Sequence, residues 1–195
     1  MKHETSVSMD IFSRLGIRKM DAAFLSICCV FLYLNLFILA ATPIFYEMDH
    51  VALLNDAKRM IEGEVIYRDF FEFTFPGSHL LYFVFESILG PKYIVSSLLI
   101  LLHGMAAAIL SLIISRRVIA DNIYAYLPAA LYIFLGFRWF GIDGEHRMFS
   151  PLFALLAVFF LLEKRTYGRI AAAGLSCAIS SFFTQQRGVL AAIAI

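Results

Sequence analysis

The chain has 195 residues, of which 61% are hydrophobic, 15% aromatic and 16% charged, and its mean hydropathy is +0.80. An ordinary soluble domain is only about 45–50% apolar and about 25% charged, so this composition argues against a water-soluble globule and for an integral membrane protein. A formal net charge of +1, with no Lys/Arg-rich run interleaved with aromatics outside the short loops, gives no support to a nucleic-acid partner.

In chain order, the first element is an apolar run over residues 22–45 that contains no charge. It meets the about 20 residues that a spanning helix needs. Lys2, Arg14, Arg18 and Lys19 precede it, so the positive-inside rule places residues 1–21 in the cytoplasm and Glu47 outside. A cleaved signal peptide does not fit, because its apolar core is about 7–15 residues.

Residues 46–92 form the expected first extracytoplasmic loop. Within it Val51, Leu54, Ala57 and Ile61 recur at spacings of three and four, with Asp56, Lys58, Arg59 and Glu62 on the other side. This pattern predicts an amphipathic helix lying on the bilayer surface, stopped by Gly63. Pro76 and Gly77 break the chain before a second apolar stretch, residues 78–89, which at about a dozen residues suits an interfacial or re-entrant helix rather than a span. The charges give the same answer: only if 78–89 does not cross do Arg116, Arg117, Lys164, Arg165 and Arg169 all fall on the cytoplasmic side.

Apolar stretches over 93–115, 123–140, 148–162 and 170–184 complete five spans, and a sixth is under way at Ile195. The expected fold is therefore an all-α, polytopic transmembrane helical bundle over residues 22–195, with interfacial amphipathic helices in the first outer loop. A chain that stops inside an apolar run reads as the N-terminal portion of a longer protein. The outer turns are GIDGEHR at 141–147 and TQQRG at 184–188. Cys28, Cys29 and Cys177 fall in apolar stretches and behave as small hydrophobes. His103 has no ligand-type neighbour at metal spacing and reads as a packing residue.

Taken singly, Glu47, Asp49, Asp69, Glu72, Asp143 and Glu145 are solvated acids at helix ends. Taken together, this topology sets them on one face of the membrane with Arg138, Arg147 and Arg187. Acids beside fixed cations at a lipid boundary suit chemistry on a lipid-linked anionic substrate. The order of Glu47-x-Asp49, the amphipathic helix, Gly63-Glu64-Val65-Ile66-Tyr67-Arg68-Asp69-Phe70, Phe75-Pro76-Gly77, the acidic turn Asp143-Gly144-Glu145-His146-Arg147 and Phe183-Thr184-Gln185-Gln186-Arg187-Gly188 resembles the GT-C class of membrane glycosyltransferases. The closest branch is that of the protein O-mannosyltransferases and the lipid A aminoarabinose transferases.

The resemblance implies a polyprenyl-phosphate-linked sugar as donor and a lipid, glycan or protein as acceptor. It also implies membrane lipids as surroundings and a catalytic acid just after the first span, which is Asp49, with Glu47 as the alternative. Where related proteins carry a Lys, this chain has Gln185 and Gln186, which leaves Arg187, then Arg147, to meet the donor phosphate. Asp69 and Glu72 are placed to orient sugar hydroxyls, beside Arg68, Asp143 and Glu145. Tyr67 serves either as a stacking platform or as an interfacial-belt residue. A single base on the acceptor side implies inversion at the anomeric carbon.

The spacing demands no cofactor, although several outer acids can gather round one divalent cation. The short loops point to a prokaryotic plasma membrane with the site on the extracytoplasmic side. A transporter, a flippase or a non-catalytic membrane subunit is the alternative, but the mid-span polar residues are mild ones, Asn35, Ser111, Ser176 and Ser180.

Overall fold

The computed structural model describes residues 18–38, 48–119, 122–136, 146–162 and 165–195, and among them every regular element is helical. Helix α1, Lys19–Tyr33, starts at Arg18, whose backbone N–H donates to the Asp21 carboxylate at 2.9 Å, and it runs on as a π-helical turn over Leu34–Ile38. Helix α2 is Met48–Ile61 and α3 is Gly77–Leu89. Gly63, with φ of 98°, ends α2 in the left-handed conformation that glycine adopts without a Cβ penalty, as the sequence predicts.

Helix α4, Ile94–Val118, is the longest. The next segment enters through a 3-10 turn, Ile123–Tyr126, capped by the Asn122 side chain. It continues as the single turn α5, Leu127–Ala130, and ends in a π-helical turn, Leu131–Gly136. Helix α6, His146–Leu161, carries Pro151 inside it, α7 is Tyr167–Phe183 and α8 is Gln185–Ala194.

These helices run up and down between two ends. At one end the buried Asp21 of α1 accepts hydrogen bonds from Arg116 at the close of α4 and from the Tyr126 hydroxyl. At the other, Ser97 near the start of α4 donates to the Leu36 carbonyl at 3.3 Å, and Ser96 meets the Tyr82 hydroxyl of α3 at 3.1 Å. Helices α1 and α4 are therefore antiparallel, tied at both ends. Arg117 lies over the Phe159 ring at 4.8 Å, which brings the close of α6 to the Arg116 end. The charge pattern divides the chain in the same way, with Arg116 and Arg117 at one end and the first-loop helices at the other.

By length and composition, two described helices suffice to cross a membrane, Lys19–Ile38 and Ile94–Val118. The stretches Ile123–Gly136 and Arg147–Leu161 are shorter apolar helices, as is Gly77–Leu89, which the sequence reading already set apart as too short to span. A central core joins Cys28, Leu32 and Leu36 of the first segment to Tyr82, Leu99, Ile100, Ile133, Phe149 and Phe183. A satellite core of Ala157, Ala173 and Cys177 lies between α6 and α7. Cys28, Cys29 and Cys177 are free thiols.

Helix α2 turns its expected stripe to the core only in part. Of the stripe read from periodicity, Ala57 is buried and Leu54 packs against the core, but Val51 and Ile61 are exposed, at 38% and 41%, while Leu53 and Asp56 are buried in their place. The cause is a polar contact: Asp56 turns inward to face His79 of α3, and Leu53, three residues before it on the same face, goes with it into the core.

Candidate functional site

The connector between α2 and α3 is built by local polar contacts that its own sequence supplies. Arg59, on the last turn of α2, donates through Nε to Glu64 at 2.7 Å, and its guanidinium lies 4.2 Å over the Phe70 ring. The Asp69 carboxylate accepts from the Val65 backbone N–H at 2.7 Å and pairs with Arg68, also at 2.7 Å. These donors hold the Asp69 carboxyl down at about 2, the Arg68 hydrogen bond contributing most.

Tyr67 occupies the left-handed region with φ of 69°, a conformation that costs a non-glycine residue about 1 kcal/mol or more. Its hydroxyl donates to the Thr74 carbonyl at 2.5 Å, and its backbone N–H donates to Phe70. Thr74 in turn meets His79 Nε2 through its hydroxyl at 2.9 Å. The chain thus passes from a strained turn to a buried histidine through one threonine. Glu72 joins Asp56 and His79 on the inner side of this strand of contacts, their ligand-type atoms lying within 4.8 Å of one another. Burial, and then the Asp56 charge, raise the Glu72 carboxyl above its ordinary value.

The start of α3 is pressed against the end of α7. A Cβ added to Gly77 would sit 2.7 Å from the Phe182 carbonyl oxygen, so only glycine permits this approach. The contact brings the connector beside the turn between α7 and α8 and beside the first turn of α6. A cavity of about 500 Å³ opens there, lined by Phe73, Thr74, Phe75, Arg147, Thr184 and Arg187 among others. Arg187 Nη1 donates to the Arg147 carbonyl at 2.6 Å, which fixes the guanidinium at the rim with most of its donors still directed elsewhere. Two exposed cations and two exposed aromatic rings on one cavity can meet an anionic group and an apolar one together.

Of the residues singled out from the sequence, Arg147 and Arg187 share this cavity, and the connector that holds Tyr67, Arg68, Asp69 and Glu72 supplies its opposite wall. Arg68 and Asp69 are committed to one another, Tyr67 to the connector's own backbone and Glu72 to the Asp56–His79 pair. Asp49 lies on the first turn of α2, two turns before Asp56; its side chain is outside the described residues, as are Glu47, Asp143 and Glu145. Asp56, Thr74 and His79 were not singled out by sequence reasoning. Asp56 and His79 sit on different helices, so no spacing links them, and the pattern had put Asp56 on the solvent side of α2.

His103 is buried, accepts or shares a hydrogen bond with the Tyr132 hydroxyl at 2.7 Å and packs edge-on against Phe149, the packing role expected of it. Comparison with known proteins finds no matching family model, curated protein or solved structure.

Proposed function

We propose that the protein is a GT-C-type membrane glycosyltransferase, a polytopic bundle that moves a sugar from a polyprenyl-phosphate donor to a hydroxyl acceptor at the outer membrane face. The observation that supports this reading is the cavity at which the first-loop connector meets Arg147 and Arg187, since the sequence pattern sets the first outer loop and the turns that hold these two arginines on one face of the membrane. The exposed Val51 and Ile61 of α2 and the exposed Phe71 and Phe73 of the connector add apolar surface suited to the interfacial layer.

In this reading Asp49 takes the proton of the acceptor hydroxyl as the acceptor oxygen attacks the anomeric carbon. The bond from that carbon to the phosphate oxygen breaks on the opposite face, and the electron pair leaves with the polyprenyl phosphate. Arg187, seconded by Arg147, meets the charge that develops there, because its planar fork matches two phosphate oxygens at once.

The test is transfer of label from radiolabelled polyprenyl-phosphate sugars in membranes that contain the protein. Asp49→Asn is expected to insert normally and to lower transfer by about 10²–10⁴-fold, the usual contribution of a positioned base. Undiminished transfer in that variant removes Asp49 from the mechanism, and uptake of donor without transfer marks a carrier instead.

A further inference from the structure

We propose that Asp56, Glu72 and His79 bind one divalent transition-metal ion, which clips the connector to α2 and α3. The inference stands apart from glycosyl transfer, because it rests on the side chains of the clip alone.

Each of the three residues offers one ligand atom, and the three atoms lie within 4.8 Å of one another. Asp56 is 5% and His79 2% exposed, so two of the three donors are removed from water. Asp56 Oδ2 and His79 Nδ1 are 3.3 Å apart yet are not aligned as a hydrogen bond, and both are buried without any hydrogen-bond partner. Orphaned buried polar atoms of this kind are rare and call for an explanation. Thr74 sharpens the case. When His79 donates from Nε2 to the Thr74 hydroxyl, Nδ1 keeps its lone pair and turns it toward a carboxylate oxygen. Two acceptors then face each other in a buried site, which is unfavourable unless a proton or a metal ion lies between them.

The separation also fits. Ligands at about 2.0–2.2 Å from one tetrahedral ion stand roughly 3.3–3.6 Å apart, the range in which the Asp56–His79 contact falls. Glu72, half-buried on the connector, closes the third position by a small rotamer adjustment. The outer contact from Nε2 to Thr74 is the kind of second partner that orients metal-bound histidines. One nitrogen and two carboxylate oxygens select zinc or manganese over magnesium or calcium, which take oxygen alone. Three protein ligands leave coordination sites for water.

The functional consequence is placement. Thr74 both supports His79 and lines the cavity with Phe73 and Phe75, so an ion at this point fixes the connector wall of that cavity.

The experiment titrates the full chain, purified in detergent and stripped with chelator, with zinc chloride and with manganese chloride, and no sugar donor is present. One ion per chain is expected, together with a rise in unfolding temperature that chelator reverses. His79→Gln and Asp56→Asn are each expected to weaken binding at least 100-fold, and Glu72→Gln at least 10-fold. Glu62→Gln, at the exposed end of α2 where it pairs with Lys58 at 3.8 Å, is expected to bind as the wild type does. Pulsed EPR of the copper-loaded wild type reads imidazole nitrogen at the ion without any substitution, which covers variants that fail to fold. Absence of uptake by the wild type, absence of imidazole nitrogen in the spectrum, or undiminished binding in folded His79→Gln overturns the proposal. None of these results bears on label transfer, so the two readings fail separately.

Discussion

The α2–α3 layer and the α6–α7 pair are both two-helix contacts, and they are held by different forces. Between α6 and α7 the interface is apolar and small: Ala157, Ala173 and Cys177 at one level, stacked Phe153 and Phe183 rings 5.5 Å apart at another. Its polar element is a reciprocal serine pair, in which the Ser150 hydroxyl reaches the Ser180 carbonyl at 3.0 Å and Ser180 returns a bond to the Ser150 carbonyl at 2.9 Å. Between α2 and α3 the buried contact is ionisable, with Asp56 on His79 and Glu72 beside them. Small residues and hydroxyls let helices approach closely, whereas buried ionisable groups need one another or an ion to offset the hydration they have lost. The comparison sets an apolar, small-residue contact against an ionisable one, with the cavity where the two regions meet.

The sharpest way to break this comparison is to separate the two regions. Gly77→Ala drives a methyl group into the Phe182 backbone, which neither helix can yield cheaply, and should cost about 3 kcal/mol. Thermal unfolding measures the loss, and unchanged stability means the α3–α7 approach is looser than described. Next in size is Glu86 of α3, a buried carboxylate with Oε2 unpartnered, which burial pushes up to about 7.

The unfolded value is about 4.3, so the folded protein holds this proton more tightly. Its contribution is therefore most favourable below about pH 4 and is lost as pH rises towards 7. Up to about 3 kcal/mol disappears over that window. Glu86→Gln should remove that slope, raising the unfolding temperature at pH 8 and leaving it unchanged at pH 4; a variant with the wild-type slope assigns the pH dependence elsewhere.

Arg187→Ala probes the rim of the cavity. Loss of a charged hydrogen bond to phosphate is worth about 2 kcal/mol, so transfer should fall about 30-fold at unaltered fold. Lys at this position should restore part of the rate, since it keeps the charge without the fork. The smallest effect belongs to the apolar pair: Ser150→Ala is expected to cost only about 0.6 kcal/mol, the average for interhelical hydrogen bonds in membranes. A loss several times larger, by reversible unfolding, makes the serine pair a structural anchor on a par with the α2–α3 contact.

Much of the architecture was legible because it follows from local chemistry. Gly63 and Pro76 mark helix boundaries wherever they occur, and the long uncharged runs at 22–45 and 93–115 carry the helices that are long enough to cross. Charge placement also separated Arg116 and Arg117 from the first-loop helices, as the Asp21–Arg116–Tyr126 cluster does in three dimensions. The inward face of α2 was not legible, since an aspartate at position 56 reads as solvent-facing until His79, on another helix, is known to lie opposite. Nor could the sequence reveal that Arg68 and Asp69, suited in type to sugar binding, satisfy each other inside a turn. Residue type marks what chemistry is available, and only packing decides which groups are already engaged.

The paired ties along α1 and α4 have a mechanical outcome. A long rod fastened to its neighbour near the Leu36 carbonyl and again through Arg116 cannot slide like a piston. Any relative movement of the helices must therefore be taken up by pivoting elsewhere, and the break at Thr184, where α7 hands over to α8 in extended backbone, offers a joint.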